Sequence, residues 1–128
     1  MLSELTCLKL SVLLWVAHVV VQAAFGNLQL PFGYLFTSRD ATPKPTGLAF
    51  GRATRALHNY VENYAPFLAV DLGLIATGHS GGYGATVWII ARILYLPIYV
   101  MGIEYARTAI WAISVVGILM MLGRLGWA

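Results

Sequence analysis

Arg52, Arg55, Asn59 and Glu62 are spaced +3, +4 and +3. At about 100° per residue this spacing keeps all four on one narrow helical face. Arg92, Tyr95 and Tyr99 form a second such stripe, spaced +3 and +4, and Arg107 follows it. A guanidinium binds carboxylates in bidentate fashion and keeps its proton, so Arg55 and Arg92 suit a ligand with separated carboxylates. Glu62 can accept from an ammonium group or hold an arginine in place, and Asn59 can both donate to and accept from a peptide backbone. A small zwitterionic peptide carrying a thiol fits that inventory. An arginine or a tyrosine hydroxyl beside the sulfur would favour the thiolate, which is the nucleophile. The same residues also allow a structural reading, in which they neutralise one another. Arg55 and Glu62 are seven residues apart, so a direct pair needs another residue or helix between them, whereas Arg92 could pair with Glu62 across helices. On the residues alone, both readings stand.

The helix that carries the first stripe is otherwise apolar, with Ala53, Ala56, Leu57, Val61 and Ala65 running into Pro66-Phe-Leu-Ala-Val70. Ionisable groups on such a helix suit a membrane bundle, where they are costly and usually face the interior. The bulk composition agrees. Of 128 residues, 59% are hydrophobic and 10% charged, with a mean hydropathy of +0.76, against a charged share of roughly 25% in soluble domains. That length allows one domain, 1–128. The net charge of +3 rests on 8 basic and 5 acidic residues, too few and too scattered for a nucleic-acid surface. Cys7 is the only cysteine, which excludes an internal disulfide or a cysteine-based metal site and leaves a buried, inert thiol as the expectation.

Four apolar segments are expected, at about 5–25, 52–77, 85–101 and 107–125, each near the roughly 20 residues that span a bilayer. A cleavable signal peptide is the competing reading of the first, through Val21-Gln22-Ala23, but Glu4 with no basic residue before it argues against that. His18 is expected to pack or to hydrogen-bond between helices, since no second ligand follows at i+4. Gly26 to Gly51 reads as loop, with Phe32, Tyr34 and Phe36 suited to the membrane–water interface. Asp71 is expected to make an interhelical hydrogen bond. Gly78 to Gly84 is a connector that lacks the lysine of a phosphate loop, and His79 within it is expected to be solvated. Pro97 is a candidate kink, and Gly102 to Ala106 a tight turn. Arg39, Lys44, Arg52 and Arg55 lie in or beside the first loop, while the glycine turn is uncharged, so the positive-inside bias puts both termini on the non-cytoplasmic side. Short loops and the lack of a retention signal point to a bacterial inner membrane.

Two stretches resemble the MAPEG family, the membrane-associated proteins in eicosanoid and glutathione metabolism. One is Arg55-Ala-Leu-His-Asn59-Tyr-Val-Glu62 followed by Pro66-Phe67-Leu68, and the other is Ala91-Arg92-Ile-Leu-Tyr95-Leu-Pro-Ile-Tyr99 followed by Arg107-Thr108. The resemblance implies an all-α, integral membrane four-helix bundle assembled as a homotrimer, with glutathione bound between neighbouring subunits. By position, Arg55, Asn59, Glu62, Arg92, Tyr95 and Tyr99 would bind glutathione, Arg107 would stabilise its thiolate, and Arg52 would support the site. The implied activity is that of a glutathione-dependent transferase or peroxidase acting on apolar electrophiles or lipid hydroperoxides from the bilayer. Thr108 stands where some family enzymes have serine, His58 falls at a variable place, and Asp71 replaces a small or apolar residue. The family also has a binding-only member, so a non-catalytic lipid-binding or scaffold protein is the alternative. An ion or proton pathway built on Asp71 and Glu62 is a third, weaker reading.

Overall fold

The computed structural model describes residues 1–126, which form four α-helices and, among the described residues, no strand. α1 spans Glu4–Gln29, α2 Ala49–Thr77, α3 Gly84–Met101 and α4 Glu104–Leu125. Ser3 caps α1, its Oγ accepting from the Thr6 amide at 3.1 Å, with Glu4 in the first turn where the helix dipole favours an anion. α1 runs past Phe25 because its last turn is tied to the start of α2. The Gln29 carbonyl accepts from the Thr46 amide at 2.8 Å, and its side chain accepts from the Phe50 amide at 2.9 Å. The expected loop therefore shortens at both ends and contains a 3₁₀ turn at Tyr34–Phe36. Phe32 and Phe36 project from it, 99% and 87% exposed.

The turn between α3 and α4 is shorter than the sequence suggests. Gly102, at φ 78°, closes α3 in the left-handed conformation, and α4 already begins at Glu104. A glycine there satisfies the last carbonyls of α3 within one residue, so Arg107 sits inside the first turn of α4 rather than opening it. Pro97 lies within α3. The two helices meet at Gly84 and Gly117, where an added Cβ would fall 2.7 Å and 2.8 Å from the carbonyl oxygen of the opposite glycine. Small residues at this crossing let the backbones approach directly.

The core lies where α2 crosses its neighbours. Phe67 of α2 stacks on Trp88 of α3 with ring centroids 3.8 Å apart, and Trp88 Nε1 donates to Asn63 Oδ1 at 2.6 Å. Tyr60, Leu74, Ile89, Met121 and Cys7 complete this core. Leu13, Val20, Ile90, Leu94, Val116 and Leu119 instead cover the outside, while Ser11, His18, Asp71, Arg92 and Ser114 are buried. Apolar groups outside and polar groups inside is the distribution that lipid as solvent requires. α1, α3 and α4 are long and apolar enough to cross a membrane. α2 is long enough as well, but Arg52, Arg55, His58, Asn59, Glu62 and Asp71 interrupt its apolar character.

Candidate functional site

A cavity of about 390 Å³ opens where α2, α3 and α4 converge. α2 contributes Arg55, His58, Asn59 and Glu62, and α3 contributes Tyr95 and Tyr99. α4 contributes Arg107, Thr108 and Trp111, which fall on one helical face. A second cavity, of about 200 Å³, adjoins the first and shares Arg55, Tyr99 and Arg107 with it. Arg52 and Glu104 line that second space, and Arg52 Nη1 also donates to the Val100 carbonyl at 3.3 Å. Of the seven residues that the resemblance assigns to glutathione and its thiolate, six therefore share one cavity.

Arg92 is the exception. It is fully buried and lines neither cavity. Its Nη1 donates to Asn59 Oδ1 at 2.9 Å, and its guanidinium lies over the Tyr95 ring, 4.2 Å from the centroid. The pairing of Arg92 with Glu62 that the sequence allowed is not made; the amide of Asn59 takes its place. Because Asn59 Oδ1 is engaged behind the wall, the amide presents its NH₂ group as the donor toward the cavity. Tyr95 meets Tyr99 edge to face at 5.5 Å, and the Arg107 guanidinium lies 4.9 Å from the Tyr99 centroid. Arg92, Tyr95, Tyr99 and Arg107 thus form a ladder of cation–π and aromatic contacts, which fixes both guanidinium groups by their faces and leaves Arg107's donor edge available.

Charge in the cavity is unbalanced. Arg55 and Arg107 face a single carboxylate, Glu62. Arg107 is also in the first turn of α4, where the helix dipole adds partial positive charge. The site suits an anion that also carries a group for Glu62. An apolar groove of about 360 Å³, formed by Trp15, Val19, Leu57 and Val61, shares His58 and Glu62 with the polar cavity.

The sequence matches the MAPEG family over residues 7–127, nearly the whole chain. The chain belongs to the MAPEG family. No curated protein and no solved structure matches it. MAPEG members include glutathione transferases and related proteins, and in this MAPEG chain the two motif stretches are the segments of α2 and α3 that wall the cavity.

Sequence reasoning gave His58, Thr108 and Trp111 no place in the site, yet all three line the cavity. Trp111 was detectable, since it lies four residues after Arg107 on the same face. His58 was detectable on the same ground, lying three residues after Arg55 and four before Glu62. The Thr108 hydroxyl donates to the Glu104 carbonyl at 3.3 Å, within its own helix. Asp71 departs from expectation. It is fully buried, and neither carboxylate oxygen has a hydrogen-bond partner among the described residues, so the interhelical bond is not formed there. His18 packs, as the sequence suggested, stacking on Tyr60 with centroids 4.5 Å apart. His79 is exposed.

Proposed function

We propose that this protein is a glutathione-dependent membrane transferase or peroxidase. Glutathione would lie near the cytoplasmic face between neighbouring subunits of a homotrimer, with α2 completing a four-span domain over residues 1–128. What carries this reading is the gathering of Arg55, Asn59, Glu62, Tyr95, Tyr99 and Arg107 around one open cavity. Arg55 provides for a carboxylate, Glu62 for the α-ammonium, and the Asn59 NH₂ for a peptide carbonyl. Arg107, held by its face on Tyr99, directs its N–H groups to the sulfur and stabilises the charge left when the thiol proton departs. An apolar electrophile arriving from the bilayer then receives the sulfur, forming an S–C bond as its leaving group departs with the bonding pair. With a lipid hydroperoxide, the thiolate takes the terminal oxygen, leaving the alcohol and a sulfenic acid. A second glutathione converts the sulfenic acid to disulfide and water.

The alternative is a lipid-binding or scaffold protein in which the polar stripe only holds the assembly together. Replacing Arg107 separates the two readings. Arg107→Gln should abolish conjugation of glutathione to a chlorodinitrobenzene while the detergent-purified assembly keeps its mass. Loss of the assembly itself would favour the scaffold.

A further inference from the structure

Three buried nitrogen atoms around Tyr60 are left over from the hydrogen bonding of the site. His18, on α1, is fully buried and stacks on the Tyr60 ring at 4.5 Å. Its Nδ1 lies 2.9 Å from the Leu14 carbonyl. A carbonyl can only accept, so Nδ1 carries the proton of the neutral ring and Nε2 is left as an acceptor. That Nε2 has no partner among the described residues. Arg92, equally buried on α3, places its Cζ 5.4 Å from the centroid of the same Tyr60 ring. One of its donors is spent on Asn59, while Nε and Nη2 have no partner among the described residues. One acceptor and two donors, complementary in sign, thus lie around one aromatic ring. Unmatched donors on a buried charged group are costly, and buried groups of this kind are commonly satisfied by a water with several partners.

We propose that His18 is a positioning residue for Arg92. Its Nε2 accepts from a single buried water beside Tyr60, and that water accepts from the guanidinium donors that Asn59 leaves over. The bridge fixes the rotation of the guanidinium on the Tyr95 face. Through the bond from Nη1 it also fixes which way the Asn59 amide points. Asn59 then presents its NH₂ to the cavity and not its carbonyl. His18 acts on the site from a third helix without lining it. The consequence for ligand binding rests on the glutathione reading; the bridge itself does not.

The test separates the two. Histidine-selective ¹⁵N NMR on the micelle-solubilised protein reads the bridge directly, with the His18 signals assigned by their loss in His18→Phe. In the wild-type protein the Nε2 resonance should show an accepted hydrogen bond, and Arg92→Lys should shift it toward the position of a free acceptor. A wild-type Nε2 already at the free-acceptor position, or one that Arg92→Lys leaves unmoved, overturns the proposal. Should His18→Phe fail to fold, Arg92→Lys still supplies this comparison, with the signals of His58 and His79 assigned by their own substitutions. In the functional arm, His18→Phe keeps the stacked ring and removes the acceptor. It should weaken glutathione binding about tenfold, and combining it with Arg92→Lys should cost no more than the worse single change. Unchanged affinity in His18→Phe, or additive losses, count against the bridge. If the wild-type protein binds no glutathione, the proposed function falls and the resonance shift alone decides the role of His18.

Discussion

Between Arg52 and Asn63, α2 gives its polar side chains a cavity or a partner, whereas beyond Pro66 its one carboxylate, Asp71, has neither. Both halves belong to one helix and both carry ionisable groups, so the contrast lies in what surrounds them. In the first half the groups recur on one face that meets α3 and α4, and Asn59 and Asn63 are engaged by Arg92 and Trp88. In the second half the core is closed by the stacked Phe67 and Trp88 rings and by Leu74 and Met121. A polar atom there is desolvated without compensation. The first half of α2 is thus arranged for a ligand and the second for packing, and the two should respond differently to substitution.

The largest effect should come from the packing half. Phe67→Ala removes a fully buried ring and should lower stability by about 3–5 kcal/mol, read as a fall in thermal midpoint in detergent. A small loss would mean that the stacked core contributes less than its burial suggests. In the cavity half, Asn59→Ala strips Arg92 of the one hydrogen-bond partner it has among the described residues, and the cavity of one donor. Glutathione affinity should drop by about 1–3 kcal/mol, with the assembly retained. Affinity equal to that of the wild type would remove Asn59 from the binding site.

Asp71→Val sharpens the contrast in the opposite direction. Replacing an unpartnered carboxyl by an apolar group of comparable size should stabilise the protein by about 1–2 kcal/mol and leave ligand affinity unchanged. A destabilised variant would show that Asp71 has a partner in the assembled protein. The smallest effect is expected at Thr108. Its hydroxyl is spent on the Glu104 carbonyl, so Thr108→Ala should change turnover by less than about threefold. A larger loss would place the hydroxyl at the thiol.

Much of this arrangement was legible in the sequence because helical spacing translates directly into shared faces. The stripes Arg55–Asn59–Glu62 and Tyr95–Tyr99 each reach the cavity intact. Arg107 was legible as a residue but not in its register, because the left-handed conformation of Gly102 brings the start of α4 forward to Glu104. Arg92 shows the limit of periodicity. It shares a stripe with Tyr95 and Tyr99, yet it is one turn deeper, where the helices have closed together, and it reaches the site only through Asn59. The last turn of α1 depended on Gln29 bonding to residues 17 and 21 positions further on, which no local pattern encodes. Asp71 shows the converse. A carboxylate in an apolar run signals a partner, and here the fold provides none.

The most direct test of the central claim is isothermal titration of glutathione into the detergent-purified protein, with Arg55→Ala titrated alongside. Arg55 is exposed to the cavity and takes little part in the core, so its loss should leave the fold unchanged. Saturable binding in the wild-type protein that Arg55→Ala abolishes is the predicted result. Absence of binding in both proteins, with the assembly intact, would contradict the glutathione site and leave only the MAPEG fold.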